Sequence, residues 1–123
     1  MNDIEFENIV EKAVQLLPNE FKEKLINVSI VIQDFPSTVQ LNKAEHGKLL
    51  LGLYEGIPQT RRGNYGIGGV LPDKITIFKI PLLQISRNYL DLEQNVRNTV
   101  IHEIGHHFGL SEDDLSNTKV RSK

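Results

Sequence analysis

Thr99-Val-Ile-His-Glu-Ile-Gly-His-His-Phe-Gly-Leu-Ser-Glu-Asp-Asp-Leu115 decides how the rest of the chain is read. His102, Glu103 and His106 spell H-E-x-x-H inside a stretch of helical patterning, a motif that joins a zinc site to a general base. Two histidines four residues apart stand one above the other on a helix face, so both imidazoles reach one metal ion. Glu103 projects beside them, where it can take a proton from water held by the metal. At about 100° per residue, Val100, Ile101, Ile104 and Phe108 gather on one side, with His102 and His106 about opposite. One face is patterned for a core and the other for a metal. His107 falls off the metal face and reads as a flank or surface histidine.

The helix has a place to stop. Gly109 suits the left-handed conformation that ends a helix and turns the chain back. Glu112 follows, with Asp113 and Asp114 behind it. The spacing H-E-x-x-H-x-x-G-x-x-ligand is the metzincin arrangement, with a carboxylate in place of the usual third histidine. Carboxylate oxygen is an acceptable zinc ligand, so the chemistry survives the exchange. Glu112 is therefore the expected third ligand, with Asp113 as the alternative. The short stretch after His106 leaves no room for a separate downstream helix carrying the third ligand.

With 123 residues the chain suits one domain over 1–123, in which the polar stretch 116–123 frays. Fourteen basic against 16 acidic residues give a net charge of −2, which argues against a nucleic-acid partner. The absence of cysteine excludes disulfides and thiolate metal sites. An acidic N-terminus without an apolar run, and no stretch of bilayer length, predict a soluble cytoplasmic protein without membrane contact.

In chain order, residues 3–17 read as an amphipathic helix, with Ile4, Phe6, Ile9, Val10, Ala13, Val14 and Leu17 at helical spacing. Pro18 ends it and begins a short second helix over 19–25. Val28-Ser-Ile-Val-Ile-Gln33 reads as a central strand. A loop over 34–48 follows, in which His46 reads as exposed and outside the site. Leu49-Leu-Leu-Gly-Leu-Tyr54 is the second strand, followed by a long glycine-rich loop suited to shaping a cleft. Lys74-Ile-Thr-Ile-Phe-Lys79 alternates as a strand with one face buried, and is read as an edge along which a peptide pairs. Residues 81–87 read as a helical turn, and Asp91 as the N-cap of the motif helix over 92–108, with Gln94 completing a capping box. The fold class is α/β, of the α+β kind: a sandwich in which a sheet of about three strands packs against the N-terminal helix and the H-E-x-x-H helix.

Leu49-Leu-Leu-Gly-Leu-Tyr-Glu-Gly-Ile-Pro58, Gly68-Gly-Val-Leu-Pro-Asp-Lys-Ile-Thr-Ile-Phe78 and Thr99-Val-Ile-His-Glu-Ile-Gly-His-His-Phe-Gly109 together resemble the small bacterial zincin-like metallopeptidases. These are minimal zincins with a matrix-metalloproteinase-like fold, and the resemblance spans nearly the whole chain. It implies one zinc ion held by His102, His106 and a nearby acid, Glu103 as general base, and a peptide or protein substrate. Members carry aspartate at the third-ligand position, where this chain has Glu112. Met1 is the only methionine, so no Met-turn follows the site.

Tyr54 and Tyr65 are candidates for steadying an oxyanion, although a packing role is the stronger reading of both. Two rivals remain. A zinc endoribonuclease of the rRNA-maturation type shares the histidine spacing, but has glycine in place of Glu103 and histidine as third ligand. A catalytically silent, zinc-stabilised binding module is the other.

Overall fold

The computed structural model describes residues 1–43, 49–56 and 73–108. Within them α1 spans Asp3–Gln15, α2 Asn19–Lys24, β1 Val28–Gln33, α3 Thr38–Lys43 and β2 Gly52–Glu55. They are followed by β3 at Asp73–Phe78, α4 at Lys79–Ile85 and α5 at Tyr89–His107. This is the mixed α+β architecture expected, with five helices and a three-stranded sheet among the described residues.

The sheet order is β1-β3-β2. β1 and β3 run parallel, from Val28 opposite Asp73 to Gln33 opposite Phe78. β2 is antiparallel to β3, with Gly52 opposite Ile77 and Glu55 opposite Lys74. Two sequence readings are corrected by this order. The strand read as central, β1, flanks the sheet and is only partly buried along its length. The strand read as a peptide-binding edge, β3, lies between the other two. Alternation misled here because both faces of β3 are covered. Ile75 and Ile77 on one face and Thr76 and Phe78 on the other are all fully buried, and a hydroxyl can occupy a buried face without breaking the pattern.

α1 and α5 cover the face carrying Ile75 and Ile77. Asn2 caps α1 by accepting from the Glu5 N–H at 2.8 Å, and Phe6, Val10 and Ala13 turn inward at helical spacing. Ile4, counted among the inward residues by periodicity, is exposed. From α5, Leu92, Val96, Val100 and Ile104 meet the same core. Two ion pairs tie α1 to the later elements: Lys12 with Glu93 at 3.3 Å, and the buried Lys79 with Asp3 at 2.6 Å.

The opposite face is crossed by α3, which lies inside the stretch read as loop. Its Gln40 is buried and exchanges side-chain hydrogen bonds with Gln33 at 2.8 and 3.2 Å. Lys43 at its end donates to Glu55 at 2.7 Å. Polar docking of this kind leaves no apolar periodicity, which is why the helix escapes a hydrophobic reading. The cap of α5 is also shifted. Asn88 accepts from the Asp91 N–H at 2.9 Å, and Asp91 sits inside the first turn, accepting from the Arg87 N–H at 3.0 Å. Both are favoured cap residues, and the pair of bonds places the boundary three residues earlier than the Asp91 reading.

Candidate metal centre

The last two turns of α5 sort their side chains by depth. Ile101, Ile104 and Gly105 are buried, His102 is half-buried and His106 exposed. The two imidazoles stand 6.1 Å apart between ring centroids, tilted by 58°. Imidazole nitrogen is an ordinary zinc ligand and side chains four apart share a helix face, so the chemistry of the pair suits a zinc ion. Among the described residues no group of three potential ligands forms. Glu112 and Asp113, the candidates for the third position, lie outside the described residues, as do Gly109, Tyr65 and His46.

Glu103 points from the helix to the margin of β2. Phe78 donates its N–H to the Leu51 carbonyl at 2.9 Å. By the period of two in an antiparallel ladder, the main-chain groups of Tyr54 then face away from β3. The Tyr54 N–H finds its partner in Glu103 Oε1 at 3.0 Å. Burial pushes the Glu103 carboxyl above the ordinary glutamate range, while the Tyr54 N–H and nearby His106 partly offset it. A carboxylate raised toward neutrality and held by one oxygen is equipped to accept a proton.

The close approach of α5 to β2 depends on a missing side chain. A Cβ at Gly52 would stand 2.5 Å from the Thr99 methyl and 3.2 Å from the Thr76 carbonyl. Thr99 itself is held by its hydroxyl, which donates to the Asn95 carbonyl at 2.7 Å.

His107, read from the sequence as a flank or surface histidine, packs against the sheet. Its ring stacks on Tyr54 at 3.9 Å and 16°. The Tyr54 hydroxyl donates to Asp73 Oδ2 at 2.8 Å, an anchoring contact in line with the packing role read for this tyrosine. Phe108 departs from the expectation that it joins the apolar stripe. It is 45% exposed, sits edge-on to Tyr54 and His107, and carries the Lys24 ammonium 4.7 Å above its ring. The reason is that α5 ends at His107, so helical spacing no longer fixes where Phe108 points. Asp73 escaped the sequence reading, which began that strand one residue later, at Lys74. Gly52 did carry a signal, because glycine inside a strand often marks a close backbone approach.

No described helix is long and apolar enough to cross a membrane. The fold is similar to a solved structure, a conserved hypothetical protein from Thermo thermophilus, at 25% identity and a TM-score of 0.54. The match covers 88% of this chain and 94% of that one. No curated protein matches the chain. The family model described as zincin-like metallopeptidase matches residues 25–121, which takes in the whole sheet, the H-E-x-x-H helix and the acidic segment beyond it. The chain therefore belongs to the zincin-like metallopeptidase family.

Proposed function

We propose that this chain is a zinc-dependent peptidase in which His102, His106 and Glu112 hold the metal and Glu103 is the general base. Asp113 is the alternative third ligand. The observation that carries the proposal is the placement of Glu103 beside the histidine pair, with Oε1 fixed by the Tyr54 N–H at 3.0 Å. Family membership supports the same chemistry.

Zinc, when bound, supplies a Lewis acid that polarises the scissile carbonyl and makes water more acidic at neutral pH. His102 and His106 orient that centre from one helix face. Glu103 accepts the proton of the attacking water and passes it to the leaving amine. Its hydrogen bond to β2 keeps the carboxylate aimed during both transfers. A peptide substrate would lie extended along β2, the strand that brings Tyr54 to Glu103, rather than along the interior β3. The proposal keeps the cytoplasmic setting, for which the support is the cysteine-free composition.

Elemental analysis and a protease assay on an unstructured protein test this together. The purified protein is expected to carry one zinc per chain, with most of it lost in His102→Ala and His106→Ala. Glu103→Gln should keep the metal and lose hydrolysis. Failure to load zinc sinks the metal reading, and full activity in metal-replete Glu103→Gln sinks the base. A zinc-loaded wild type that cleaves nothing across a broad peptide library points to a silent binding module.

A further inference from the structure

The final turn of α5 is gripped from the side by groups to which the proposed chemistry gives no task. Tyr54 projects from β2 and stacks on His107 at 3.9 Å. Its hydroxyl is fixed to Asp73 Oδ2 at 2.8 Å, and the same oxygen stands 4.0 Å from His107 Nε2. Both anchors belong to the sheet: Asp73 opens β3 opposite Val28, and Tyr54 pairs with Ile75. Two strands thus hold the end of the helix through one imidazole.

The residue before that imidazole is His106. Helix ends fray, because their last carbonyls have no partner within the helix. A ligand on the last turn therefore moves with the end unless something outside the helix restrains it. His102, a turn earlier, is backed by the buried Ile101 and Ile104 and needs no such restraint. His106 is exposed, and the stack on its neighbour bears on the turn that carries it.

We propose that Tyr54 is a positioning residue for the metal centre: anchored by Asp73, its ring holds His107 and thereby fixes His106 in its ligating position. The inference rests on the reading of His102 and His106 as zinc ligands. Through its main-chain N–H the same residue holds Glu103, so one position on β2 orders ligand and base together.

Zinc affinity by chelator competition and the visible absorption of the cobalt-substituted protein test it across three variants. Tyr54→Leu and His107→Ala both remove the stack, and each should weaken zinc about tenfold and shift the cobalt bands. His107→Phe keeps an aromatic face for Tyr54 and should restore near-wild-type affinity and spectrum. Unchanged affinity in the first two variants, a loss in only one of them, or no rescue by His107→Phe overturns the proposal. The wild type provides a second measurement that does not depend on how the variants fold. Adding zinc should move the Tyr54 ring resonances together with those of His107. Tyr54 resonances that stay fixed while those of His102 and His106 move also overturn it. A wild type that binds no zinc removes the ligand reading and this inference together; normal zinc binding with an unresponsive Tyr54 removes this inference alone.

Discussion

A carboxylate that must accept a proton has to be held by something that does not give it one, and a main-chain N–H meets that condition for Glu103. The third ligand poses a different problem of reach. Glu112 stands in the register set by His102 and Gly109, whereas Asp113 would need a turn one residue looser and has a shorter arm. Glu112→Gln should therefore lose most zinc affinity in a chelator competition, with Asp113→Asn near normal; the reverse pattern reassigns the ligand. Glu55 carries a pH prediction. Its hydrogen bond from Lys43 holds the carboxyl below the ordinary glutamate range, aided by the charges of Lys43 and Lys74 and opposed by burial. A lowered folded value means the stabilisation is present above the unfolded value, about 4.3, and is lost as pH falls through the folded one. Wild type should lose stability more steeply than Glu55→Gln when urea midpoints are compared below about pH 4.3; parallel curves would discard the idea. At this scale His102, Glu103 and His106 are legible in the sequence because helical spacing alone makes them neighbours. The Tyr54–Asp73 bond is not, because it exists only through the register between β2 and β3, which no local pattern encodes.

Between elements, the contact that matters most to the site is α5 against β2, and Gly52 is its narrowest point. Gly52→Ala would place a methyl group 2.5 Å from the Thr99 side chain, an overpacking expected to cost about 1–3 kcal/mol. Adding Thr99→Ser removes the opposing methyl and keeps the hydroxyl bond to Asn95, so chemical denaturation should recover part of the loss. The Thr76 carbonyl at 3.2 Å leaves a remainder. A double variant no more stable than Gly52→Ala would mean that the Thr99 contact is not the source of strain. The helices and strands themselves were largely readable from periodicity, yet the order of the strands was not. The apolar run of β1 reads as interior, and the alternation of β3 as half-exposed, because each pattern reports side-chain polarity and neither reports which backbone edge is already paired. α3 was unreadable for a related reason: Gln40 docks it by hydrogen bonds, and glutamine in a sequence looks like surface.

For the whole molecule, the proposed ligand pair on α5 would link metal binding to folding. A ligand set assembled only in the native state stabilises it by about 2.7 kcal/mol at a free zinc concentration a hundred times the dissociation constant. Zinc should therefore raise the melting temperature of the wild type and leave that of His102→Ala nearly unchanged; equal shifts in both would locate the bound zinc elsewhere. The α+β class was legible from the sequence because the strand and helix patterns interleave, and the H-E-x-x-H helix declares itself by its motif. The long-range pairings that close the structure have no such local sign. Parallel pairing of β1 with β3 bridges the chain segments that hold α3 and β2, and the hydrogen bond between Tyr54 and Glu103 joins residues 49 apart in sequence. Pairings of this range form slowly compared with local ones, and α5 follows the three described strands in the chain. The nascent molecule therefore passes through its least protected stages before the Tyr54 N–H and Glu103 have met, so the carboxylate is held in place only once the sheet beside it is complete.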